Sequence, residues 1–174
     1  MAADLLGKFL VIQTEVGRIV GEINEVESYI GQKDPACHAS VGRTPRNEVM
    51  FWEGGHAYVY FTYGMYHCLN IVTEKSGFPS AVLIRSIIPV EGTDLILNNR
   101  RKSSRSAKIS PKNLTNGPGK LCQALQLNRH HNGLDLTKSN QFFLLDSGKK
   151  ITNFKRTPRI GISKGKRLKW RFYY

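Results

Sequence analysis

Ala57-Tyr58-Val59-Tyr60-Phe61-Thr62-Tyr63-Gly64-Met65-Tyr66-His67-Cys68-Leu69-Asn70-Ile71-Val72-Thr73 is the stretch on which the fold turns. Aromatic and β-branched residues on both sides of a Gly-Met pair are the pattern of two strands joined by a tight turn. The pair predicts a type II′ hairpin in which Gly64 supplies positive φ, with strands over Ala57 to Tyr63 and Tyr66 to Thr73 and with Tyr63 and Tyr66 flanking the tip. By themselves, Tyr58, Tyr60, Tyr63 and Tyr66 fit ordinary sheet packing equally well.

Upstream, Leu5 to Ile12 and Gly17 to Tyr29 read as paired extended segments turning around Thr14 to Gly17. Downstream, Ser80 to Ile88 is a strand apolar almost throughout except for Arg85, which needs a partner if buried. Gly31 to Glu48, rich in Gly, Pro, Asp, His, Arg and Asn, is a long loop carrying His38, and long loops in compact domains are often functional.

Pro89 to Arg101 predicts a helix with Thr93 as cap and Arg100-Arg101 complementing the dipole of its last turn. Lys102 to Thr115, Ser- and Lys-rich without aromatics, predicts a mobile connector. Asn116-Gly117-Pro118 opens a short helix with Leu121, Cys122, Ala124 and Leu125 on one side, and Gly117 and Lys120 at a start suited to a phosphate. Short strands are expected at Phe142 to Leu145, Arg159 to Ile162 and Trp170 to Tyr174, and no repeat is visible. Together these predict one α+β domain over residues 1 to 174, with a curved, mostly antiparallel sheet, a protruding hairpin and short flanking helices.

The 174 residues carry a net charge of +13, which points to a polyanion or an anionic membrane surface. Residues 1 to 94 hold 7 basic and 11 acidic side chains, whereas residues 95 to 174 hold 19 basic against Asp135 and Asp146 alone. The basic residues of the second half are interleaved with apolar ones, which favours a folded basic face over a solvated tail. Cys37, Cys68 and Cys122 lack the spacing of a disulfide framework or zinc site, and charges through the first thirty residues break any signal-peptide core. The reading is an intracellular protein without membrane association, in the cytoplasm or nucleoid if bacterial and in the nucleus if eukaryotic.

No single residue is diagnostic. Glu27 on a strand is ordinarily a solvated carboxylate, and Glu22 and Glu25 compete with it for any catalytic role. Cys37 and His38 are adjacent on extended chain and point apart, which argues against a thiol hydrolase. His130-His131 near Asp135 suggests a polar loop before a metal site.

The order of the motifs is more telling. Val26-Glu27-Ser28-Tyr29-Ile30-Gly31, Asp34, His38, Thr44-Pro45-Arg46-Asn47, Tyr58-Val59-Tyr60, Tyr63-Gly64-Met65-Tyr66, Asn70 and Leu83-Ile84-Arg85 resemble the alkyladenine (3-methyladenine) DNA glycosylases of the mammalian type. The resemblance resumes at Asn116-Gly117-Pro118-Gly119-Lys120-Leu121-Cys122-Gln123-Ala124-Leu125, Arg159-Ile160-Gly161 and Arg171-Phe172-Tyr173, so it spans nearly the whole chain.

The resemblance implies a monofunctional, metal-free and cofactor-free monomer acting on duplex DNA with damaged purines: 3-methyladenine, 7-methylguanine, hypoxanthine or ethenoadenine. Glu27 would be the general base for water and Arg85 its orienting cation. The flipped base would lie between Tyr29 and His38 on one side and Tyr60 on the other, with Asn70 excluding normal guanine. Tyr63 would wedge into the DNA with Met65 and Tyr66 beside it, and Arg43, Arg46, Lys120 and Arg159 would meet the DNA backbone. A lyase using a lysine nucleophile is disfavoured because no lysine lies between Asp34 and Glu74. The competing reading, a non-catalytic nucleic-acid-binding module, explains the charge and aromatics but gives no use for Glu27 and Arg85.

Overall fold

The computed structural model describes residues 1–103 and 109–174. Eight strands form one antiparallel sheet: β1 (Phe9–Thr14), β2 (Gly17–Ile30), β3 (Ala57–Thr62), β4 (Tyr66–Val72), β5 (Ser80–Glu91), β6 (Phe142–Leu145), β7 (Lys155–Thr157) and β8 (Arg171–Tyr173). Two helices, α1 (Thr93–Ser103) and α2 (Pro118–Ala124), complete an α+β domain. The strand order is β3-β4-β5-β2-β1-β6, and β8 bridges β2 and β7.

The 14-residue β2 organises the sheet. One edge pairs with β5 from Val20 to Ile30, while the other pairs with β1 over Gly17 to Glu22 and then with β8 over Glu25 to Glu27. Side chains alternate between faces along each strand, so the register sorts the molecule into two layers. Val26, Val59, Leu69, Ile71, Val82 and Ile84 pack with the apolar side of α2. Tyr58, Val72 and Ala81 face the other way, under Cys37, Ala39 and the 3-10 turn at Glu48–Phe51. The long polar loop is therefore the roof of the second face.

Several expected boundaries shift. Ala3–Leu5 is a 3-10 turn, so β1 begins only at Phe9. β5 runs through Pro89 to Glu91 and α1 starts at Thr93; Pro89 is tolerated because it stands opposite Gly21 at a register shift, where a missing N–H breaks no regular ladder. Arg159 to Ile162 forms no strand, and the local partner of β8 is Lys155–Thr157 instead. Of the expected connector over 102 to 115, residues 104–108 lie outside the described part, while Lys102 and Ser103 end α1 and Pro111–Asn113 is a 3-10 turn.

The hairpin turn also differs from type II′. Its central residues are Tyr63 (φ 51°) and Gly64 (φ 65°), and Met65 N donates to Thr62 O at 3.2 Å. Positive φ at both centres is the requirement of a type I′ turn, whose twist suits a hairpin but which costs a non-glycine residue at the first position. Among the described residues, no helix is long and apolar enough to cross a membrane.

Candidate functional site

Period-two alternation brings the residues of interest together. Glu27 and Tyr29 on β2, Tyr58 and Tyr60 on β3, Cys68 and Asn70 on β4, and Leu83 and Arg85 on β5 are related by the registers Glu27↔Leu83, Asn70↔Leu83, Tyr58↔Asn70 and Tyr60↔Cys68. They share the face under the long loop, where a cavity of about 860 Å³ opens. Tyr29, His38, Tyr60, Asn70, Arg85 and Ile160 line it.

Arg85 is aimed there by a bulge. The pairing of β2 with β5 advances from Glu25↔Ser86 to Val26↔Ile84, leaving Arg85 as the extra residue on its strand. Bulges bend a strand and redirect a side chain, and this one brings the guanidinium to two carboxylates. Arg85 Nε donates to Glu25 Oε1 at 2.7 Å, and Nη1 lies 3.3 Å from Glu27 Oε1. Arg171 Nε donates to the same Glu25 oxygen at 2.6 Å. Two carboxylates thus offset two guanidiniums. Glu25, Glu27's competitor in the sequence, is consumed in holding both arginines.

Glu27 is 0% exposed, and burying an ionised carboxylate is costly unless hydrogen bonds replace its water. Ile160 N donates to Oε1 at 2.7 Å and the Tyr29 hydroxyl donates to Oε2 at 2.9 Å. With Arg85 beside Oε1, that oxygen is fully engaged, whereas Oε2 keeps a lone pair. Burial and the neighbouring carboxylate hold the Tyr29 phenol protonated far above its usual range, so it remains a donor.

Opposite stands an aromatic wall. His38 Nδ1 is 2.8 Å from the Tyr58 hydroxyl, and its ring meets that of Tyr60 edge-on with centroids 4.5 Å apart. His38 therefore shares a wall with Tyr60, which corrects the expectation that it sits with Tyr29. No ring fits between His38 and Tyr60 at that separation. Asn70 is buried, and its Nδ2 donates to Tyr58 O at 3.1 Å, which fixes the amide.

Burial, with Arg46 nearby, lowers the affinity of His38 for a proton. A histidine buried neutral contributes stability that is fully present above its unfolded value near 6.5 and is lost as pH falls toward its folded value. The melting temperature should fall between pH 7 and pH 5, and less so in His38→Gln; His67 and His131, shifted the same way, supply the remainder. Identical pH profiles for the two proteins would show that His38 is not held neutral.

The tip residues separate. Tyr63 is 78% exposed and Met65 64% exposed, a surface that nothing among the described residues covers. Tyr66 is half-buried, paired with Thr62 and packed on Gly119, where any Cβ would come within 2.9 Å of its ring. Tyr66 is the first residue of β4 and flanks the turn as expected, but its half-buried side chain does not project with those of Tyr63 and Met65.

The expected backbone-binding cations divide as well. Arg43 is exposed, 3.1 Å from Glu48, and Arg46 is exposed with its guanidinium 5.6 Å from the Tyr60 ring. Lys120 Nζ donates to Asn116 Oδ1 at 3.0 Å. Arg159 is a correction, since its side chain is fully buried and bridges Asp34 through Nη1 at 2.6 Å and Nη2 at 2.8 Å. It also donates to Ser28 O at 2.8 Å and stacks 4.5 Å from the Tyr29 ring. Burial opposes ionisation of Asp34, but the Arg159 fork and the amides of Ala36 and Ile30 outweigh it and hold the carboxyl below its ordinary range. Arg159 is thus the brace behind Tyr29, and it fixes the chain that delivers Ile160 N to Glu27.

Two participants escaped sequence reasoning. Ile160 acts through its backbone, which no residue type advertises. Lys164, exposed, lines the cavity although the aromatic segments carry no lysine. His130-His131 turns out to close a 3-10 turn, with His131 Nδ1 accepting from Asn128 N at 3.2 Å.

A polar site this deeply braced, behind an aromatic cavity, belongs to an enzyme. The family model described as "Methylpurine-DNA glycosylase (MPG)" matches residues 1–174. Among relatives, a protein of Methanocella arvoryzae is 47% identical over 99% of this chain and 85% of its own, and one of Ehrlichia chaffeensis is 46% identical over 99% and 84%. A third, from Sodalis glossinidius, is 47% identical over 99% and 88%; all three bear the name "Putative 3-methyladenine DNA glycosylase". The chain belongs to the methylpurine-DNA glycosylase family, whose class is the DNA-repair hydrolases.

Proposed function

We propose that this enzyme is a monofunctional 3-methyladenine DNA glycosylase that rotates an alkylated or deaminated purine out of duplex DNA and hydrolyses its N-glycosidic bond. The observation that carries the reading is Glu27, buried and held by Tyr29, Arg85 and Ile160, which line the aromatic cavity, with one carboxylate lone pair uncommitted. A base in the stack hides its glycosidic bond, so the nucleotide must leave the helix and something must fill the gap. Tyr63, exposed on a strained turn, is the wedge, with Met65 beside it.

In the cavity the base stacks on Tyr29 and on the His38-Tyr60 wall, which is worth about 1 to 3 kcal/mol per base. Alkylation at N3 or N7 gives a purine positive charge, so electron-rich tyrosine faces favour it over a normal base. Asn70, fixed by Tyr58 O, stands against the exocyclic amine of guanine. Glu27 Oε2 takes the proton from water as it attacks the sugar, and the carboxylate offsets the oxocarbenium charge; Arg85, 3.3 Å from Glu27 Oε1, orients the carboxylate. The enzyme works as a monomer.

Lys164 lines the cavity, but it is exposed, whereas lysine nucleophiles are commonly activated by desolvation. Duplexes containing 7-methylguanine or hypoxanthine, incubated with the protein in the presence of a chelator, should break only after alkali. Borohydride should trap no adduct. Breaks without alkali, or a trapped adduct lost in Lys164→Ala, would replace hydrolysis with lyase chemistry. Tight DNA binding without excision of either base would leave a recognition module.

A further inference from the structure

A second cavity, of about 750 Å³, lies on the other flank of the hairpin. Tyr63, Met65, Tyr66, Arg100, Lys120 and Gln123 line it, and Thr62, Tyr63, Cys68 and Pro118 border both cavities. Its notable member is Arg100. One turn after the core residue Ile96 on α1, this arginine points inward and is only 6% exposed. Burial lowers its affinity for a proton, with Tyr66 partly compensating. Nη1 donates to the neutral Gln123 Oε1, Nε has no partner, and among the described residues no carboxylate reaches it.

A buried guanidinium with no anion is expensive, and Arg85, Arg159 and Arg171, the other arginines held largely inside the described fold, all have carboxylates. A charge left uncompensated beside an open cavity is suited to an anion that arrives from outside. Lys120 on the same wall adds a second cation, bonded among the described residues only to the amide oxygens of Asn113 and Asn116.

The geometry points to this cavity as a phosphodiester site for the DNA strand opposite the flipped nucleotide, with Arg100 as its principal ligand and Lys120 as its second. The orientation rests on the glycosylase reading above: if the tip wedges into a duplex and one flank receives the base, the other flank meets the complementary strand. Binding would then complete the ion pair that the free protein lacks, so the hairpin would be braced from its second side only when both strands are present.

Gln123→Glu supplies the missing carboxylate from within. The variant should melt no lower than wild type yet bind undamaged duplex about tenfold more weakly, and the slope of log K against log salt should shrink by roughly 0.9 because one phosphate contact is lost. Gln123→Leu, which removes the neutral partner without adding charge, should keep the wild-type slope. Binding to a single-stranded oligonucleotide of the same sequence should be unchanged in both variants.

An unaltered duplex slope in Gln123→Glu would overturn the phosphate site. An equal loss on single-stranded DNA would overturn the strand assignment. Arg100→Gln provides a second check, and a wild-type salt slope in that folded variant would also refute the proposal. All these measurements use undamaged DNA and need no excision, so their failure and that of the glycosylase reading are told apart.

Discussion

Glu27→Gln is expected to lower the single-turnover rate of base excision by about 10² to 10⁴, the span over which a positioned acid or base contributes. The substitution is nearly isosteric. Ile160 N can still donate to the amide oxygen, and the new NH₂ can donate to the Tyr29 hydroxyl, which can turn to accept. Arg85 keeps Glu25 as its partner, so no cation is stranded. The loss is therefore confined to the proton acceptor and the negative charge, and lesion-duplex affinity should stay within a few-fold of wild type. A rate within tenfold of wild type would remove Glu27 as the base, and lost affinity with an intact fold would make it a recognition group.

The second large effect is one of stability. Asp34 and Arg159 are both fully buried in their side chains and joined by two short hydrogen bonds. Removing one member of such a pair strands the other charge, which costs about 3 to 5 kcal/mol. Asp34→Ala should therefore shift the urea midpoint by a large fraction of the total stability, since a domain typically has only about 5 to 15 kcal/mol. Asp34→Ala with Arg159→Met should be less destabilised than Asp34→Ala alone, because no unpaired charge remains. Arg159→Lys should rescue little, since an ammonium cannot make the paired contact to both carboxylate oxygens while also reaching Ser28 O. A cost below about 1 kcal/mol for Asp34→Ala would show that water reaches the pair.

The two effects share a cause. Arg159 supports the Tyr29 ring and leads directly into Ile160, whose amide holds Glu27. Damage to the brace should lower excision even where the fold survives, through misplacement of Tyr29 and Glu27 rather than loss of chemistry. Such sensitivity of a site to its supporting layer is the expected behaviour when geometry must hold to a fraction of an ångström.

Much of this was legible in the residues. Aromatic and β-branched alternation around Gly64 required a hairpin, whereas the face shared by Tyr58, Tyr60 and Asn70 follows from the observed register, in which Tyr58 stands opposite Asn70 and Tyr60 opposite Cys68. The motif order from Glu27 to Arg85 indicated the family that the comparisons show, and a lone arginine in an apolar strand announced its need for a carboxylate. These are local or pairwise signals: period, turn chemistry and the cost of an unpaired charge are carried by the residues themselves.

What only the tertiary structure decided was which cations are free. Arg43, Arg46, Arg100, Lys120 and Arg159 read alike as basic residues, yet Arg159 is sealed against Asp34, Arg100 is buried without an anion, and Arg46 flanks the Tyr60 ring. Likewise, the bulge that turns Arg85 toward Glu25 and Glu27 comes from a register mismatch between β2 and β5, and the amide holding Glu27 comes from a segment 133 positions away. A sequence states the charge of a side chain but not its distance from water, because burial is a property of the packed layers around it. Sequence alone thus specified a basic, hairpin-bearing sheet protein of this family, and packing alone divided its charges into paired braces, a buried hydrogen-bonded carboxylate and a buried arginine with no carboxylate among the described residues.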